Sequence, residues 1–277
     1  MTTTPNAGQR AYWNGENGER WSSRVTITER VFAPLSATIL AAAGATAHDR
    51  VLDIGCGCGG NSLALARTSG SVVGVDISQP MLSVARGRAE REGIANLTFI
   101  EADASTHGFD EAAFTLGFSQ FGVMFFDDPE AAFANIRRAL AGGRLAFVCW
   151  RPLEENTWQS IPARAVDPLL PPAAPAQPNA PGPFTFADPE RTRSVLARAG
   201  FRDVAIEPRD AALRIGNDTR DAATVAAGFG AAARRLAGVE PKLYDAAVDA
   251  IAASLRDYER ADGVYLDAAV WVVTARS

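Results

Sequence analysis

The chain has 277 residues, 47% of them apolar and 21% charged, with a formal net charge of −5, a composition that suits one large globular domain or a domain with an insertion. The acidic balance, with no stripe of Lys or Arg, argues against nucleic acid as an electrostatically captured partner. No apolar run reaches the ~20 residues that cross a bilayer, and the opening MTTTPNAGQRAYWNG lacks the charged-then-apolar pattern of a secretory signal, so no membrane span and a cytoplasmic location are expected.

Residues 1–49 form a helical, aromatic-bearing segment. Two uses stay open for it: a helix packed on a sheet edge, or a lid on which Tyr12, Trp13 and Trp21 supply flat apolar surface over a ligand. Residues 50–150 then alternate short apolar runs with helical patterns. Runs at 50–55, 71–77, 97–103, 114–121 and 144–150 are apolar on nearly both faces, as parallel strands covered by helices on both sides require. Between them lie helices with readable ends. One has Ser78 as N-cap, Pro80 in its first turn and Gly93 as its stop; another starts at Asp127–Asp128–Pro129, read as an N-cap pair, and ends in arginines and glycines. This alternation predicts an α/β fold, a Rossmann-like doubly wound, mostly parallel sheet.

After Trp150 the pattern changes. Residues 162–183 hold eight of the sixteen prolines, which argues against helix or central strand there and for an extended loop. A capped helix follows at 187–201, a strand at 203–208, a helical region at about 218–260 and a last strand at 268–276. The expected organisation is therefore an N-terminal lid (1–49), an α/β core (50–150), a proline-rich substrate loop (151–186), and a stretch (187–277) that completes the core and carries a helical cap. Trp158, Phe184, Phe186, Phe229 and Tyr244 are candidate walls for a small apolar or aromatic molecule.

Cys56, Cys58 and Cys149 are too few for a disulfide framework. With C-x-C spacing and only His48 and His107 in support, no metal site is expected. Gly55-x-Gly57 sits where the first strand turns into a helix, the place where ligands bind open α/β sheets. Glycines there admit left-handed backbone and close approach, and the helix start presents free N–H groups. Gly55, Gly57 and Gly60 also satisfy the G-x-G-x-x-G dinucleotide fingerprint, with Asp76 where its ribose-binding acid stands. That leaves NAD(P) and S-adenosylmethionine as rival ligands. Asp53 favours the second, because a carboxylate repels a pyrophosphate but suits an ammonium and a sulfonium. Asp103, at the end of the third strand, suits the exocyclic amine of adenine.

VLDIGCGCGG (51–60), VVGVDISQPML (72–82), FIEADAS (99–105), the unit from Phe118 to Trp150 and WVVTAR (271–276) together resemble class I S-adenosylmethionine-dependent methyltransferases, notably the ubiquinone/menaquinone-biosynthesis group. The resemblance implies a seven-stranded sheet with its last strand antiparallel and a small-molecule methyl acceptor, in a monomer or homodimer. It implies that Asp53 and the backbone of Gly55, Cys56 and Gly57 hold the methionine portion, and that Asp76 takes both ribose hydroxyls. Ile77 and Met81 then flank the adenine, Asp103 and Ala104 read its edge, and Ser119 lies beside the sulfonium. Gln120 stands where the family often has arginine. No catalytic residue is named: His107 is a loop histidine without a visible partner, and methyl transfer needs a base only when the acceptor must lose a proton. The alternatives are an NAD(P)-dependent oxidoreductase or a non-catalytic S-adenosylmethionine-binding protein.

Overall fold

A computed structural model describes residues 5–172 and 180–277. Three helices, α1 (Ala7–Asn14), α2 (Glu16–Ser23) and α3 (Val25–Ala43), precede the alternating core. The core runs β1 (Arg50–Ile54), α4 (Gly60–Ala66), β2 (Ser71–Asp76), α5 (Gln79–Glu92), β3 (Leu97–Glu101), β4 (Leu116–Gln120), α6 (Pro129–Ala139) and β5 (Arg144–Trp150). There follow α7 (Thr157–Val166), α8 (Pro189–Arg198), β6 (Arg202–Gly216), α9 (Thr219–Gly228), α10 (Ala231–Arg235), α11 (Pro241–Ser254), β7 (Glu259–Arg260) and β8 (Gly263–Arg276). Seven strands lie in the order β3-β2-β1-β4-β5-β8-β6, and the two-residue β7 pairs with the start of β8. β1 to β5 pair in parallel, whereas β8 runs antiparallel to both β5 and β6.

Alternate strand residues feed two cores, one on each face, because side chains along a strand point to opposite sides. Val51, Leu116, Ala146 and Val148 pack on one face with Ile39 and Leu63, while Leu52, Leu145, Phe147 and Cys149 pack on the other with Phe133 and Phe186. Helix ends follow local chemistry. Ser78 and Asp128 cap α5 and α6 with their side-chain oxygens, and Gly93 closes α5 in the left-handed region. Asp127 is not part of that cap; it bonds the N-terminal segment instead.

Three departures from expectation bear on the site. First, α7 includes Pro162 and runs to Val166, so the proline-rich stretch begins as helix. Trp158, Pro162 and Val166, four residues apart, are all buried; packing of that stripe outweighs the hydrogen bond that proline forfeits. Residues 173–179 of the expected loop lie outside the described residues. Second, β6 extends to Gly216, well past the expected 208, with Pro208 inside it. It is an edge strand, where a missing N–H costs little, and its outer half is masked in sequence by exposed polar residues. Third, α3 has the length and apolar composition of a bilayer-crossing helix, despite the expectation that no run qualifies. Glu29 and Arg30 interrupt it, and its Val31, Phe32, Leu35 and Ile39 are buried against the protein.

The β6–β8 pair reaches beyond the parallel core: β5 covers only Val270–Arg276 of β8, leaving the first half of β8 paired with β6 and, at its start, with β7. β6 packs with α9, and β8 with α7 and α9. The Ala269 amide donates to Asn156 Oδ1 at 2.9 Å and the Asp267 amide to Thr157 Oγ1 at 2.7 Å, seating the start of α7.

Candidate active site

At the carboxyl end of β1 the chain turns through Gly55 and Gly57, both with positive φ (68° and 54°). A Cβ on Gly55 would sit 2.7 Å from the Cα of Gly122, and one on Gly57 would sit 2.8 Å from the Met81 methyl. Both positions therefore need glycine for space as well as for backbone angle. The Gly55 and Cys56 amides both donate to the Val75 carbonyl, at 2.8 and 3.1 Å. The Gly57 amide donates to Asp76 Oδ2 at 2.7 Å, and the Ser78 amide to Asp76 Oδ1 at 2.9 Å. Asp76 thus ties the glycine loop to the start of α5. Each carboxylate oxygen retains a lone pair.

Asp53 is 2% exposed and, among the described residues, accepts only one side-chain hydrogen bond, from the Ser62 hydroxyl at 2.5 Å. Burial pushes its carboxyl up to about 7; the Ser62 bond opposes that rise and the charge of Asp76 adds to it. Burial also raises Asp76, against the pull of amides from Ser78, Gly57 and Ile77. A nearly buried carboxylate with one neutral partner is short of positive charge, a deficit that the ammonium of S-adenosylmethionine is suited to fill.

Asp103 lies two residues beyond β3, where 97–103 was expected to be strand throughout. Both its oxygens accept from Asn6 Nδ2 at 2.9 Å, and Oδ1 also accepts from the Ser105 amide and hydroxyl. Asn6 is clamped further: its amide donates to Asp127 Oδ2, and the Asp127 amide donates to its Oδ1, both at 2.7 Å. The N-terminal segment is thereby pinned over the end of the site where an adenine amine was expected. Nothing in the sequence around Asn6 signals this, because its partners are about a hundred residues away.

One cavity of about 620 Å³ joins these groups, within the range of small-molecule sites. Asp53, Gly55, Cys56, Gly57, Asp76, Ile77, Met81, Asp103 and Ala104 all line it. Ser119 does not: it is fully buried, its hydroxyl donates to the Ile54 carbonyl at 2.7 Å and accepts from the Gly122 amide, so it joins β4 to β1 behind the wall. Tyr12, Trp13 and Trp21 line the cavity, together with Trp158 and Phe229. Phe184, Phe186 and Tyr244 stand outside it and pack in the core.

Sequence reasoning missed Phe32, Phe121, Phe125 and Trp150, which complete the aromatic wall. Phe121 has φ 65°, a costly conformation for a bulky residue, and stacks flat on Trp150 with centroids 4.0 Å apart. Gln120 also lines the wall, its Oε1 accepting from the Ser36 hydroxyl and from Asn61 Nδ2. Neither histidine lines the cavity, and His107 packs edge-on against Phe109.

Comparison with known proteins identifies the architecture. Residues 51–143 match the family model described as a methyltransferase domain. Over 120 residues the chain is 35% identical to the aklanonic acid methyltransferase DauC of Streptomyces sp. (42% of this chain, 54% of that protein). Over 109 residues it is 40% identical to the demethylmenaquinone methyltransferase of Thermus thermophilus (38% of this chain, 49% of that protein). The chain spans about half the length of the curated relatives it matches. In fold it is similar to Haemonchus contortus phosphoethanolamine N-methyltransferase 2, solved with phosphomonomethylethanolamine and S-adenosylhomocysteine (TM-score 0.61, 20% identity, 97% of this chain and 60% of that one). An antiparallel strand between β5 and β6 also sets the sheet apart from the dinucleotide-binding order 3-2-1-4-5-6. Residues 51–143 are thus similar to a methyltransferase domain, and the fold built around them is similar to that of a solved methyltransferase.

Proposed function

We propose that the protein transfers a methyl group from S-adenosylmethionine to a small, largely apolar or aromatic molecule. The single observation that carries this reading is the continuity of the cavity: one space runs from the glycine loop and its three acids to an aromatic wall built by α1–α3, the β4 and β5 ends, and the cap. On this reading Asp76 accepts from the ribose hydroxyls, Asp53 pairs with the ammonium, and Met81 and Ile77 bracket the adenine. Asp103 shares its carboxylate between Asn6 and the adenine amine.

The bound sulfonium supplies a methyl carbon and a leaving group that departs as a neutral thioether. What this chain contributes is alignment and exclusion of water. The lid helices and the Phe121–Trp150 stack close the acceptor end with apolar surface. Among the described residues no histidine faces the cavity, which favours acceptors that need no separate base. Residues 1–49 serve as the lid and the 218–260 helices as the cap.

Calorimetric titration with S-adenosylhomocysteine, NADH and NADPH tests the cofactor. Binding of the first alone is expected; binding of a nicotinamide nucleotide instead overturns the proposal. Methyl transfer is then followed with methyl-labelled S-adenosylmethionine against a panel of aromatic and alicyclic acceptors.

A further inference from the structure

The cavity lining carries both signs of charge. Asp53, Asp76 and Asp103 stand at the glycine-loop end, while Arg20 and Arg234 line it from α2 and α10. Two other arginines are already engaged. Arg88 is bonded to Glu29 at 2.6 Å. Arg235 donates to the Pro171 carbonyl and lies 3.4 Å from Asp167. Arg234, like Arg20, differs: among the described residues its guanidinium makes no ion pair and no hydrogen bond. It is open to the cavity yet hemmed in by protein, and burial lowers it from the usual arginine range, an effect that the nearby Tyr12 opposes. A guanidinium that lines the cavity without a partner of its own can take an anionic group there.

The wall beside it carries a second unmet demand. Gln159 is 2% exposed, lines the same cavity, and its Oε1 has no hydrogen-bond partner. Its helix, α7, packs against α10, where Gly230 brings the two so close that a Cβ there would stand 3.1 Å from the Trp158 ring. Trp158 likewise lines the cavity, and its indole N–H lacks a partner.

From this we infer that the acceptor carries a carboxylate, bound at the cap end with Arg234 as its counter-ion and the Trp158 indole N–H as the neighbouring donor. The inference rests on the reading of the cavity as an acceptor site. A guanidinium fork matches a planar carboxylate in shape as well as charge. The aromatic rings of the lining take the hydrophobic body of an aromatic or alicyclic acid.

The test is calorimetric binding of a size series of aryl carboxylic acids and their matched primary carboxamides, with and without saturating S-adenosylhomocysteine, to wild type, Arg234→Gln and Arg234→Lys. Wild type should prefer an acid over its amide by about ten- to a hundred-fold, the range of a hydrogen bond to a charged group. Arg234→Gln should abolish that preference, and Arg234→Lys should retain part of it, while affinity for S-adenosylhomocysteine stays unchanged in both, which also shows that they fold. Equal binding of acids and amides by wild type, failure to bind any of the acids, or a preference that survives Arg234→Gln overturns the inference. A carboxylate preference without S-adenosylhomocysteine binding upholds it and sinks the methyltransferase reading instead; the reverse result does the opposite.

Discussion

Replacing Asp53 by Asn tests the electrostatics of the site most directly. In the folded chain burial holds this carboxyl protonated up to about 7, whereas in the unfolded chain it ionises near ~3.9. Between those values the folded state binds the extra proton, so raising the pH favours unfolding, and the loss is complete above about 7. At ~1.36 kcal/mol per pH unit, the cost grows from about 2 kcal/mol at pH ~5.5 to about 4 kcal/mol at pH ~8. The difference, about 2 kcal/mol, corresponds to roughly 4–8 °C of melting temperature for a chain of this size. Asn carries no charge at any pH and keeps an oxygen for the Ser62 hydroxyl. Thermal melts of the two unliganded proteins from pH ~5.5 to ~8 should therefore diverge, the variant becoming the more stable as pH rises. S-adenosylhomocysteine should bind the variant about ten- to a hundred-fold more weakly, the loss of a charged hydrogen bond. Wild-type affinity should improve with pH as Asp53 ionises. A wild-type-minus-variant difference that is flat in pH, or a variant less stable at pH ~8, refutes the assignment.

Asp76→Ala removes the acceptor for the Gly57 and Ser78 amides as well as the proposed ribose contact. Melting temperature and S-adenosylhomocysteine affinity should fall together, the latter by roughly 1.5–3 kcal/mol; unchanged affinity in calorimetry removes the ribose role. Gly55→Ala places a methyl group 2.7 Å from the Gly122 backbone at φ 68°. It should cost at least about 2 kcal/mol in denaturant unfolding, and a loss below ~0.5 kcal/mol would show that the β1 and β4 turns move apart freely. Asn6→Ala breaks the clamp between Asp103 and Asp127. Limited proteolysis should then cut α1 faster, and stopped-flow association of S-adenosylhomocysteine should speed up several-fold; identical cleavage and association rates would mean that the segment is held by its aromatic residues instead.

The glycine loop and the strand-end acid were legible because their chemistry is local. A strand, a tight turn, free amides and Asp76 are all specified within about thirty residues, so spacing alone places Gly55, Gly57 and Asp76 on one wall. Ser119 misled for the converse reason: its position at the end of β4 is readable, but which way its hydroxyl turns depends on the Ile54 carbonyl and Gly122 across the sheet. The prolines of 162–183 misled similarly, because whether a proline is tolerated in α7 depends on what Trp158 and Val166 bury against.

Alternating apolar runs, capped helices and a glycine turn were enough to determine an α/β sheet with a ligand site at the carboxyl end of its first strands, since period, caps and turn angles act over a few residues. The acceptor end was decided by the tertiary structure alone. Asn6 meets Asp103, Phe121 stacks on Trp150, and Arg234 enters an aromatic cavity, through contacts between residues from 29 to more than a hundred positions apart. Burial and pairing across such distances are properties of the packed chain, and no local pattern encodes them.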